Sequence, residues 1–190
     1  MKLRNVVGVP LDTLVFRVPA NVDGSFGLQA VTVDGQSVVP QVDGSVLELP
    51  LVSPLASGAS VEVALKFGLT IPATPGRLAK TQRGIALGYW FPMLAVHRGD
   101  WDRRQFVDVG DATFSEVADF DITVTTSVPA QVVATGERVE QDARRSRFLA
   151  RSVRDAAVAI SPEYSVRRTK VGDTTLEVAA FGDEIGRAHV

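Results

Sequence analysis

The sequence predicts an all-β protein, an antiparallel two-sheet sandwich or saddle-like domain with little or no helix. Three observations predict it. Apolar and polar residues alternate with period two in run after run. Glycine, proline and Asp-Gly pairs interrupt those runs about every ten positions. No stretch carries a sustained apolar stripe at helical spacing.

The first strand is Leu14-Val15-Phe16-Arg17-Val18. Asp23-Gly24, Asp34-Gly35 and Asp43-Gly44 then mark tight hairpins, because both residue types tolerate positive φ. Between them lie the short β-rich segments LQAVTV and SVLELPL. The three Asp-Gly pairs are unevenly spaced and lack the glycine-dense repeat of a calcium-binding array. Ala59 to Ile71 is the longest alternating run, with Val61, Val63, Leu65 and Phe67 on one face that needs an apolar partner. Pro72, Pro75 and Gly76 end it, and a polar connector follows through Thr81 to Gly84. Alternation resumes at Phe120 to Thr125, turns at Pro129-Ala130 into VVATGE, and continues at Ser146 to Ala150. Ala156 to Ile160 has helical propensity, but Pro162 cuts it short, so a buried strand is predicted there. Thr174 to Ala180 is the last strand.

Length and composition narrow the function. With 190 residues, 45% of them hydrophobic, the chain can bury a core as one domain or two small ones. A net charge of −2 gives no general attraction to nucleic acid or anionic membrane. No apolar run approaches the length of a membrane span. The absence of cysteine excludes disulfides, thiolate zinc sites and a cysteine nucleophile, and leaves the compartment open.

Gly88 to Phe106, GYWFPMLAVHRGDWDRRQF, holds both tryptophans and His97. His97 with Asp100 and Asp102 raises the question of catalysis, but no G-x-S-x-G elbow supplies a nucleophile. Asp100, Asp102, Asp108 and Asp111 are candidate ligands for a hard cation, although their spacing fits no EF-hand loop. Trp90, Phe91 and Trp101 are candidates for an exposed shelf that binds carbohydrate or protein, against the plainer reading of core plugs. Arg144, Arg145, Arg147, Arg151 and Arg154 form a basic stretch that, on strands, reads as a solvated face and not a nucleic-acid site. No catalytic residue and no metal ligand is assigned.

The order of landmarks is more specific than any one of them. PLDTLVFRVPAN (Pro10 to Asn21) precedes VTVDGQSV (Val31 to Val38) and LELPLVSPLASGASVEVALKF (Leu47 to Phe67). LGYWFPMLAV (Leu87 to Val96), DFDITVTTSVPAQVVATGE (Asp119 to Glu137) and SVRDAAVAISPEY (Ser152 to Tyr164) follow. This order resembles the N-terminal β-domain of the aminopeptidase N family of zinc metallopeptidases, the gluzincins, over about Leu3 to Val178. The resemblance implies that Trp90-Phe91-Pro92 matches a structural W-Y-P landmark near the face turned to the catalytic domain, with Trp101 on the same interdomain edge. In many family members residues of this domain also help hold the amino end of the substrate, which needs an acidic or amide side chain beside the cleft, and the best-known members carry an acidic segment after the proline. Here that segment reads PMLAVHRGDWD, so no substrate-binding residue carries over.

The family's zinc chemistry rests on H-E-x-x-H and a later glutamate. Neither is present, since His97 and His189 are the only histidines. The resemblance therefore implies a non-catalytic fragment, residues 1–183, truncated at both ends, of a bacterial or archaeal peptidase. Its catalytic domain, its one zinc and its peptide substrate belong to the missing part. Ile185 to Val190 match the translation of a common sequencing adapter, so residues 184–190 are expected to be a non-native tail. Two other readings stand beside this one: a free-standing β-sandwich that binds carbohydrate or protein through Trp90 and Trp101, and a scaffold domain of a catalytically inactive relative.

Overall fold

The computed structural model describes residues 1–22, 24–107, 109 and 114–182. In chain order the strands are β1 (Lys2–Arg4), β2 (Leu11–Arg17), β3 (Phe26–Val33), β4 (Gln36–Ser37), β5 (Gln41–Asp43) and β6 (Val46–Leu55). Then come β7 (Ser60–Leu69), β8 (Leu78–Lys80), β9 (Ile85–Leu87), β10 (Met93–Leu94), β11 (Ala118–Thr125) and β12 (Gln131–Ala134). β13 (Glu137–Gln141), β14 (Arg145–Val153), β15 (Val158–Ser161), β16 (Tyr164–Val171) and β17 (Thr174–Phe181) complete the series. A short 3-10 turn spans Pro19–Asn21. Every pairing between these strands is antiparallel, so the predicted all-β class is the observed one.

The chain divides into two compact units. The first comprises Met1–Ile71 and Tyr89–Val117, and the second Pro72–Gly88 and Ala118 onward. The first unit holds two four-stranded sheets, ordered β1-β7-β3-β4 and β10-β2-β6-β5. On β7, Val61 and Val63 are buried and Leu65 and Phe67 half-buried, which is the apolar face that the alternation predicts. In the other sheet Leu14 lies opposite Leu49 and Phe16 opposite Leu47, and all four are essentially inaccessible. These apolar faces supply the core of a two-sheet sandwich.

The turns explain the registers. Asp34 (φ 49°) and Gly35 (φ 79°) are the two central residues between the paired Val33 and Gln36, as a type I′ hairpin requires. At the next Asp-Gly pair the turn lies one residue further on. Asp43 already pairs with Val46, and Gly44 (φ 53°) and Ser45 make the connection. Glycine in the first central position belongs to the type II′ geometry. Asp23 lies outside the described residues.

The second unit contains a four-stranded sheet ordered β12-β15-β9-β8, a three-stranded sheet ordered β11-β14-β13, and the β16-β17 hairpin. Phe148, Val132, Val158 and Ile122 are its main buried apolar side chains. Ala156 to Ile160 leads into strand β15, as the position of Pro162 predicts. The polar connector at Thr81 to Gly84 is the turn of the β8-β9 hairpin, closed by the Thr81 N–H donating to the Gly84 carbonyl at 2.8 Å.

Replacing Leu47, which is fully buried, by alanine should cost about 2–5 kcal/mol through lost transfer energy and a residual cavity. Val52→Ala, at a side chain 84% exposed, should stay within about 0.5 kcal/mol. Urea unfolding of both variants checks the contrast; equal losses would contradict the placement of the core.

Candidate functional site

Strand β2 explains what the segment after Trp90 does. Leu14 and Phe16 face the sandwich core, yet Val15 and Arg17, on the opposite face, are just as inaccessible. A strand buried on both faces needs a second cover. Residues 95–106 supply it. Val15, Val46 and Ala95 form a small buried cluster, and Trp101 packs against it. The Trp101 indole N–H donates to the Thr13 carbonyl at 3.0 Å, so both the apolar body and the polar tip of the ring are used.

Polar contacts hold the cover in place. The Ala95 N–H donates to the Val15 carbonyl, and the Asp102 N–H to that of Val96. The Gln105 carboxamide oxygen accepts from the Ser45 N–H at 2.8 Å and from its hydroxyl at 3.0 Å, while its NH2 donates to the Asp43 carbonyl at 3.1 Å. The Phe106 N–H then donates to Ser45 Oγ. Gly44 fits beneath because it has no Cβ; one there would collide with the Gln105 carboxamide.

The acids and bases in this segment neutralise one another. Arg17 Nη1 donates to Asp102 Oδ2 at 3.3 Å, with side-chain exposures of 5% and 14%. Burial pushes the Arg17 guanidinium pKa down, and the Asp102 charge opposes it. Arg104 grips the same carboxylate through Nε at 2.9 Å and Nη2 at 2.8 Å. That grip is the main reason the Asp102 pKa is pulled down to about 2, with the Arg104 N–H and the Arg17 charge adding to it against burial. Arg103 bonds both Glu48 oxygens and Asp100, and Asp100 is held below its usual range by Arg103 first and by the Trp101 N–H second.

His97 pairs with Trp101 in an isolated β-bridge, its ring edge-on to the indole with centroids 5.0 Å apart. Its Nδ1 is buried and meets no hydrogen-bond partner among the described residues. Among the described residues no hydroxyl hydrogen-bonds to this nitrogen, as a nucleophile paired with its base would.

Asp100 and Asp102 are thus committed to guanidinium groups, while Asp108 and Asp111 lie outside the described residues. No group of three His, Asp or Glu side chains suited to a metal occurs among the described residues. Trp90 belongs to a different aromatic group. Its ring is tilted against Phe67 at 6.4 Å and edge-on to Phe91 at 5.3 Å, and Phe67 in turn meets Phe26 at 5.0 Å. Trp90 and Phe91 are half-buried and Pro92 buried. The two tryptophans therefore serve separate packing groups and do not make one platform.

The arginine stretch lies in the second unit. Arg147, on β14, makes two bonds to Asp121 on β11, at 2.8 and 2.7 Å, and one to Glu140 on β13. Arg145 shares Glu140, and Arg151 lies 3.6 Å from Asp119. A central strand of arginines between two strands that carry acids is a self-neutralising face, which matches the solvated reading.

Sequence reasoning passed over Arg17 and Gln105. The signal for Arg17 was a lone charge inside LVFRV, one position out of phase with the core face. Gln105 gave none, since its partner Ser45 is 60 residues away.

Asp102→Asn should leave the Arg17 charge buried without its counter-ion, at a cost of about 3–5 kcal/mol, and adding Arg17→Met should recover most of it. A urea double-mutant cycle measures that coupling. The depressed Asp102 pKa stabilises the fold fully above pH ~4, and the benefit disappears as pH falls toward about 2. Its size should not exceed about 2 kcal/mol, because the exposed Arg104 is screened by solvent. The stability gap between the parent chain and Asp102→Asn should therefore narrow in acid.

Comparison with known proteins places this architecture. No protein-family model matches the chain, and no curated protein matches it in sequence. Solved structures do. A mutant of an M1 zinc metallopeptidase from Deinococcus radiodurans aligns with TM-score 0.52 at 17% identity, over 89% of this chain and 39% of its own. The mutant of that enzyme bound to a Tyr-Ser-Ala substrate aligns with TM-score 0.50 at 16% identity over the same shares. The chain has the fold of one portion of these M1 zinc metallopeptidases and spans 39% of their length.

Proposed function

We propose that this chain is the non-catalytic N-terminal β-domain of an aminopeptidase N-like zinc metallopeptidase, where it walls the substrate cleft and orients the catalytic domain. The observation that carries the reading is the fold correspondence over 89% of this chain but 39% of the neighbour. The order of sequence landmarks from Pro10 to Tyr164 points the same way. The neighbours are described as zinc metallopeptidases, one of them with a tripeptide substrate.

In this reading Trp90, Phe91 and Pro92 mark the surface turned to the catalytic domain, and Trp101 braces the segment behind them. Zinc, when bound in that other domain, polarises the scissile carbonyl and activates water. This chain contributes shape and position and supplies neither ligand nor base. Packing supports that division of labour, because the polar groups around His97 and Trp101 are spent on holding the loop to β2, β5 and β6. A sugar-binding shelf draws no such support, since the Trp101 indole is already engaged by Thr13 and the Val15 cluster.

Sequencing the source DNA across both ends of the frame tests the proposal. The expected result is a frame that continues beyond Asp183 into H-E-x-x-H with a later glutamate, with Ile185 to Val190 absent from the natural gene. A stop codon directly after Val190 in the genomic DNA would overturn it. A long continuation without the zinc motif would instead identify an inactive scaffold.

A further inference from the structure

We propose that Asp43-Gly44 is a site of spontaneous backbone rearrangement to isoaspartate and that the fold protects Asp34-Gly35 from the same reaction. The inference is independent of the peptidase reading. Both pairs are exposed at hairpins, Asp34-Gly35 as the two connecting residues and Asp43-Gly44 as the last strand residue and the first connecting one, and in both the glycine leaves its nitrogen open to approach. What differs is the state of the carboxyl group.

Asp34 is held twice by Glu62: its own N–H donates to the Glu62 carbonyl at 2.8 Å, and its Oδ1 accepts from the Glu62 N–H at 2.8 Å. The Asp43 carboxyl has no hydrogen-bond or ionic partner among the described residues. The Gly44 N–H likewise meets no acceptor there.

The chemistry needs only water. The Gly44 nitrogen attacks Cγ of Asp43, the N–Cγ bond forms, a Cγ–O bond breaks, and water leaves carrying the amide proton. Water then opens the five-membered imide at the main-chain carbonyl, so the peptide link runs through Cγ and the former main-chain carbonyl becomes a free carboxyl. Composition and mass are unchanged. One methylene has moved into the backbone between Asp43 and Gly44. That shift disturbs the Asp43–Val46 pair and the bond from Gln105 to the Asp43 carbonyl, two of the fastenings beneath the loop that carries Trp101.

The test ages the folded chain at mildly acidic and neutral pH and locates isoaspartate by peptide mapping with electron-transfer fragmentation. Methylation by an isoaspartyl O-methyltransferase, with labelled S-adenosylmethionine, confirms the linkage. Asp43 should accumulate isoaspartate about fivefold faster than Asp34, the factor for one retained hydrogen bond of about 1 kcal/mol. The same comparison in urea should bring the two rates together, because the Glu62 contact is then lost. Aged folded chain enriched in isoaspartate at Asp43 should also melt at a lower temperature. Equal rates in the folded chain, faster reaction at Asp34, or a preference that survives in urea would each overturn the proposal.

Discussion

The burial of β2 on both faces is the constraint from which the first unit follows. One face, Leu14 and Phe16, joins the sandwich core through its pairs on β6. The other would expose Val15 and strand Arg17 in contact with apolar neighbours unless something lay over it. The segment from Ala95 to Phe106 does so, with an indole for the apolar part and a carboxylate for the guanidinium. Burying a cation is tolerable only where a counter-ion and hydrogen bonds replace water, and Asp102 is in turn kept ionised by Arg104. The polar content of the loop is thus a consequence of the second face of β2.

This changes how GYWFPMLAVHRGDWDRRQF is understood. Histidine, tryptophan and five charged residues within ten positions suggest chemistry when read as a string. Folded, most are accounted for by a neighbour: Trp101 by Thr13, Asp102 by Arg17 and Arg104, Arg103 by Glu48, Gln105 by Ser45. Groups already saturated by the protein have little left for a substrate. A wall that holds its shape beside a catalytic centre elsewhere needs this kind of saturation, and it is the property the proposed role requires.

Strands whose side chains alternate between core and water were legible one by one. The run Val61 to Phe67 and the segment Phe120 to Thr125 are examples. β16 was not, because Arg167, Arg168, Thr169 and Lys170 leave no apolar period; its strand character comes from eight residues paired with β17. β8, β9 and β10 are two or three residues long, too short for any period to register. The Asp43-Gly44 turn was displaced by one residue because Ser45, held by Gln105, completes the reversal.

From the residue pattern alone came the all-β class, most of the longer strands, two of the hairpin positions, and a landmark order resembling one family. Each of these depends on spacing along the chain, which local backbone geometry and the burial of alternate side chains are sufficient to set. Only the tertiary structure decided that β2 is covered twice, that Trp101 faces inward to Thr13, and that the charges of the loop are spent internally. Those facts depend on partners 55 to 88 residues apart. Contacts at such separations leave no period in the sequence, because what selects them is the shape and charge of a surface that exists only after the sheets have formed.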